Sequence, residues 1–142
     1  MRALIDTNIL LDLALDRAPF ADDAEQIWEA CRAGRFEGYV SAMSLPNVFY
    51  IVRKAQGPDR ARQAVSDVLA AFDICALDSA ALHVALNLPI DDYEDAAQLA
   101  GALSYSLDAI VTRDLKDFEG ASLPILSPAD FLSRLPAASD VE

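Results

Sequence analysis

The run Ala3-Leu4-Ile5-Asp6-Thr7-Asn8 decides the fold. Three apolar residues end in a carboxylate, and from Asn8 to Leu15 the pattern turns helical, with Ile9, Leu10 and Leu13 spaced along a turn. Such a run is a buried strand handing over to a helix. In open sheets of parallel strands, ligands gather where the carboxyl ends of strands meet helix starts. Asp6 therefore stands where this architecture puts its chemistry.

Outward from that run, strands and helices alternate. Further strands are expected over 36–41, 72–77, 109–112 and 124–126, and helices over 21–33, 44–54, 59–70, 79–88, 91–107 and 128–135. Ser44 reads as a helix cap, with Pro46 tolerated in the first turn, and Gly57-Pro58 as a break. This alternation calls for a three-layer α/β/α sandwich with a mostly parallel sheet of four or five strands. Residues 1–135 form the one domain and 136–142 a frayed tail.

With 54% hydrophobic and 24% charged residues in a chain of 142, a disordered polypeptide is excluded. No apolar run reaches the roughly 18 residues that span a bilayer. Asp6 and Asp12 interrupt any leader-like apolar stretch, so no signal peptide is expected and a cytoplasmic address follows. Cys31 and Cys75 lack paired spacing and read as core residues.

The net charge of −12 argues against tight, sequence-blind nucleic-acid binding, which leaves a basic footprint. It leaves room for a local patch, or for acids whose charge is met by bound cations. Arg53, Lys54, Arg60 and Arg62 lie within ten residues and read first as a solvated helix surface.

Leu99, Leu103 and Leu107 repeat every four residues, and the same step back from Leu99 reaches Asp95. That carboxylate is aimed inward near a helix start. Its competing account is the helix dipole, which first-turn acids offset and which suffices for Asp91, Asp92 and Glu94. Asp114 follows the strand at 109–112 and repeats the strand-end position of Asp6, although it also reads as a turn residue or helix cap. Asp117 reads more readily as a cap.

Three carboxylates meeting at one sheet edge repel each other by about 1 to 4 kcal/mol per pair at 4 Å. A cation resolves that. Oxygen-only ligands suit hard octahedral ions, so Mg²⁺ or Mn²⁺ is favoured over zinc. The one histidine, His83, sits between apolar residues and reads as packing or surface.

These residues together resemble the PIN domain family, particularly its small bacterial VapC-like toxins, over nearly the whole chain. The motifs that carry the resemblance are Asp6, Thr7 and Asn8, the region from Ser41 to Lys54, then Glu94, Asp95 and Ala96, and finally Thr112, Arg113 and Asp114 with Asp117 and Phe118. The resemblance implies a ribonuclease dependent on Mg²⁺ or Mn²⁺, with Asp6, Asp95 and Asp114 as metal ligands, Asp117 as an auxiliary one, and Thr7 as the hydroxyl beside the first acid. With RNA as substrate, Arg53, Lys54, Arg113 and Lys116 are candidates to meet its phosphates. A homodimer and a small VapB-like antitoxin, with a basic side chain entering the acidic pocket, are the implied partners.

One position departs from the family. Where its members commonly carry a glutamate in the first turn after the second strand, this chain has Asn47, which lies four residues before Ile51 and should share an inward face with it. An amide oxygen still ligates a hard ion but adds no charge. Two other readings follow: a PIN-like binding module with weakened catalysis, and a phosphohydrolase of the haloacid-dehalogenase type. The latter wants an acid two residues after Asp6, where Asn8 stands.

Overall fold

In the computed structural model, which describes residues 1–137, five parallel strands form one sheet in the order β3-β2-β1-β4-β5. They are β1 (Arg2–Ile5), β2 (Glu37–Ser41), β3 (Asp73–Cys75), β4 (Ala109–Val111) and β5 (Ile125–Leu126). The helices are α1 (Thr7–Ala14), α2 (Ala21–Arg32), α3 (Ser44–Gln56), α4 (Pro58–Ala71), α5 (Ser79–Leu86), α6 (Tyr93–Ser104) and α7 (Pro128–Arg134), with a short 3-10 helix at Leu115–Phe118. The expected α/β sandwich is present, with five strands. Most of the expected tail, residues 138–142, lies outside the described residues, while Pro136 offers its carbonyl to Arg35 Nε at 2.8 Å.

Alternation along the strands divides the core. Ala3 and Ile5 of β1 and Ala109 and Val111 of β4 face Ile9, Leu10, Ile27, Val48, Val68 and Phe131 on one side of the sheet. Leu4, Ile110 and Cys75 face Ala97, Leu99 and Ala100 of α6 on the other. Every residue of the β1 and β4 centres is covered on both faces, which is why these strands read as unbroken apolar runs rather than alternating ones.

On the first side Trp28 and Phe72 meet edge to face at 4.9 Å, and the strand beneath them must be bare. A Cβ on Gly38 of β2 would lie 2.7 Å from both Cys31 Sγ and Phe72 Cδ1. Both cysteines are free thiols, and burial pushes Cys75 up to about 11. They pack, as expected.

Several local expectations shift. Leu99 and Leu107 are buried but Leu103 is 37% exposed, because α6 is covered by the sheet and by α5 around Ala96–Ala102 rather than along one narrow stripe. Ile51 is also exposed, so the face it shares with Asn47 does not point into the core. Ser44 caps nothing. It is the first residue of α3, and its hydroxyl is spent elsewhere. His83 lies exposed on α5. Among the described residues, no helix is long and apolar enough to cross a membrane.

Candidate functional site

The carboxyl ends of β1 and β4 lie side by side, and the chemistry collects there. Asp6 leaves β1 with its backbone N–H donating to Val111 O at 3.0 Å, which extends the pairing one residue past the strand. Its side chain makes no cap bond to α1, so both oxygens are available to other partners. Oδ1 accepts from Gln98 Nε2 at 2.9 Å and Oδ2 from Thr112 Oγ1 at 2.9 Å. Thr112 Oγ1 accepts in turn from the backbone N–H of Asp114 at 3.0 Å, so one hydroxyl ties the first acid to the loop bearing the third.

Gln98 is fully buried on α6, one turn beyond Asp95. Its Nε2 reaches Asp95 Oδ1 at 3.5 Å as well as Asp6, so a single NH₂ group faces two carboxylates. The carboxylates fix which end of the amide is nitrogen, since neither accepts from an oxygen. Gln98 Oε1 has no partner among the described residues, an unspent acceptor beside the acids.

Among the described residues Asp95 receives no bond from a cation. Burial first, then the charges of Asp6, Asp92, Asp117 and Glu94, raise its carboxyl to about 7. Asp6 is raised mainly by burial, with Asp114 adding to the effect, while the bonds from Gln98 and Thr112 oppose it. Two of the acids thus stand in surroundings that resist their charge.

Asp114 stands at the N-terminus of the 3-10 helix, about one-third exposed. Its Oδ2 accepts from Asn8 Nδ2 at 3.0 Å, and Arg113 Nη1 stands 3.7 Å from Oδ1. Thr7 Oγ1 pairs with Ser44 Oγ at 2.6 Å and points to Glu94 Oε1 at 3.5 Å. This buried hydroxyl pair joins the starts of α1, α3 and α6.

Asp6, Asp95 and Asp114 therefore belong to one hydrogen-bonded network through Gln98 and Thr112, and Thr7, Ser44 and Glu94 form a second set beside it. Asp117 is exposed and reaches the first network only through its charge on Asp95. Asn47 is half-buried, three residues beyond Ser44. Arg53 and Lys54 sit exposed in the last turn of α3, about 13 Å of helical rise beyond Ser44. Lys116 is exposed beside Asp117, whereas Arg113 is turned to Asp12, with Nε donating to Oδ2 at 2.9 Å and Nη2 to Oδ1 at 3.3 Å.

The donor set fits a hard divalent cation: carboxylates, an amide oxygen and hydroxyls, with no imidazole or thiolate among them. Among the described residues no three acids stand close enough to form a finished metal cage. What fits is the electrostatics, since carboxylates gathered on one amide and held above their ordinary pKa are relieved by a positive ion.

The PIN domain family model matches residues 2–116. The chain belongs to the PIN domain family. Similar solved structures include a toxin-antitoxin complex from Klebsiella pneumoniae, at 28% identity over 89% of this chain and 97% of that one, with a TM-score of 0.67. VapBC2 from Rickettsia felis, bound to a DNA fragment from its promoter, superposes with a TM-score of 0.71 at 17% identity, covering 89% and 98% of the two chains. VapC20 from Mycobacterium tuberculosis, a toxin that cleaves the sarcin-ricin loop, gives 0.64 at 12% identity over 76% and 86%. No curated protein matches the chain.

In this PIN domain the acids were legible in the sequence and their holders were not. Gln98, Thr112, Ser44 and Asn8 were missed as site residues. One signal was present: a glutamine and a threonine embedded in apolar stretches, Ala96–Ala102 and Ile110–Thr112, need buried partners. Asp12 between Leu11 and Leu13 carried the same signal.

Proposed function

We propose that this PIN domain is a ribonuclease dependent on Mg²⁺ or Mn²⁺ and the toxin of a toxin–antitoxin pair. The observation that carries the reading is the single NH₂ of Gln98 drawing Asp6 and Asp95 together at the end of β1, with Asp114 tied in through Thr112. Asp6, Asp95 and Asp114 would hold the ion, with Asp117 at its edge. When bound, such an ion lowers the pKa of water and offsets charge on a phosphodiester.

The chain's own residues do the positioning. Gln98 and Thr112 fix both oxygens of Asp6, Asn8 fixes Asp114, and the Thr7–Ser44 pair locks the helix starts around them. Asp95, raised to about 7 without metal, exchanges its proton for the ion, so binding there releases a proton and tightens as pH rises. Of the four residues expected to meet RNA phosphates, Arg53, Lys54 and Lys116 are exposed and available to RNA. Relatives solved as toxin–antitoxin complexes support a VapB-like antitoxin as partner; a basic antitoxin side chain entering the acidic pocket and a homodimer of the toxin belong to the same proposal.

The test is cleavage of a panel of structured and single-stranded RNAs with Mg²⁺ or Mn²⁺ by wild type, Asp6→Asn and Asp95→Asn. Equal cleavage by all three refutes the assignment. A second reading, a binding module with weakened catalysis, is favoured by Asn47 in the usual glutamate position and by the unfinished cage. Calorimetric titration with Mn²⁺ separates them: micromolar binding that Asp114→Asn abolishes contradicts a dead site.

A further inference from the structure

Asp12 sits on α1 beneath the site and is 1% exposed, more deeply buried than Asp6. A carboxylate so placed needs a permanent cationic partner. Arg113 supplies it through a two-pronged contact, Nε to Oδ2 at 2.9 Å and Nη2 to Oδ1 at 3.3 Å, and Arg17 Nη1 stands 3.5 Å from Oδ1 as a second cation. The Arg113 guanidinium lies 4.2 Å over the ring of Phe20, which covers its outer face. Two of its three nitrogens are thereby committed. The third, Nη1, faces Asp114 Oδ1 at 3.7 Å, beyond a close hydrogen bond but within the reach of charge.

We propose that Asp12 is a tether that holds the Arg113 charge at the rim of the acidic cup, where it cannot enter and take the place of a cation. Asp12 thus acts on the metal site through Arg113, whose charge it keeps out of the cup, and the proposal rests on the reading of that site given above. Arg113 is the residue next to Asp114 and its Nη1 already stands 3.7 Å from Oδ1, so a guanidinium released from Asp12 has the acids within reach of its charge. Its planar fork matches Asp12 and is locked by the ring, a hold that lysine, with a flexible stem and a single ammonium, does not reproduce. The same positive charge therefore has different consequences depending on whether Asp12 holds it.

The test is Mn²⁺ calorimetry on the metal-stripped full chain, with thermal unfolding recorded for each variant. Arg113→Lys keeps the charge and loses the fork, and is expected to weaken Mn²⁺ binding by about tenfold. Arg113→Gln removes the charge and is expected to bind within about threefold of wild type or more tightly, although both variants lose stability. Asp12→Asn should behave as Arg113→Lys does, with binding restored in the Asp12→Asn, Arg113→Gln double variant. Wild-type affinity in Arg113→Lys, or equal weakening in the lysine and glutamine variants, overturns the tether and leaves the metal reading standing. Failure of the wild type to bind Mn²⁺ overturns both.

Discussion

Gln98 Nε2 lies 2.9 Å from Asp6 Oδ1, joining residues 92 positions apart where α6 packs against the end of β1. Gln98→Leu keeps the volume and removes the donor. Asp6 is then left with Thr112 alone, and a lost hydrogen bond to a buried charged group costs about 1.5–3 kcal/mol. Thermal denaturation at neutral pH should show that loss, and Mn²⁺ affinity should fall about 10- to 100-fold. Unchanged affinity in the leucine variant would mean that the carboxylates hold their own geometry.

The metal-free protein should lose stability as pH rises. Asp95 has its folded pKa raised to about 7 against about 3.9 in an unfolded chain, and Asp6 is shifted the same way. The folded state then holds more protons than the unfolded one between those values. Its extra stability is complete below about pH 4 and gone once pH has passed about 7. With a chelator present, the melting temperature should fall from pH 5 to pH 8, Asp95→Asn should flatten the slope, and Mn²⁺ should reverse it by binding the deprotonated form. A slope of the opposite sign in the chelated wild type would contradict the account.

Asp114→Asn separates ligation from folding. Its side chain is one-third exposed, and an amide oxygen there still accepts from Asn8, while one charge leaves a repelling group. Metal-free stability should hold or rise, whereas Mn²⁺ affinity falls by about tenfold or more. A parallel loss of both would mark Asp114 as structural.

Asn47→Glu restores a carboxylate at the departing position. The residue is half-buried in the first turn of α3, next to the Thr7–Ser44 pair in sequence. Mn²⁺ binding should tighten by about tenfold and metal-free stability should drop, since a further carboxylate joins the repulsion. No change in either would place residue 47 away from the cup.

Gly38→Ala examines the scaffold apart from the site. The added Cβ meets Cys31 Sγ and Phe72 at 2.7 Å, and overpacking of this kind costs about 1–3 kcal/mol. Denaturant unfolding should show the loss while Mn²⁺ affinity of the folded protein is kept. A neutral result would require the Trp28–Phe72 pair to yield freely.

Ala3–Asp6 and Ala109–Asp114 were readable because strands buried on both faces leave unbroken apolar runs, and an acid ending such a run marks its carboxyl end. Leu103 and Ile51 misled for a related reason. A four-residue spacing shows that side chains share a face, but not which neighbour covers it, and α6 is wrapped by both the sheet and α5. Ser44 resembled a cap because cap chemistry is local. Its actual partner, Thr7, lies 37 residues back along the chain.

By itself the sequence determined the order of strands and helices, and with it the sheet edge where Asp6 and Asp114 emerge, since periodicity and turn residues act over a few positions. Tertiary structure alone decided who holds those acids. Gln98 on Asp6, Thr112 on Asp6 and Arg113 on Asp12 span 92, 106 and 101 residues. A buried donor's choice of acceptor depends on which backbones the packed layers bring within about 3 Å, a distance that no local pattern encodes.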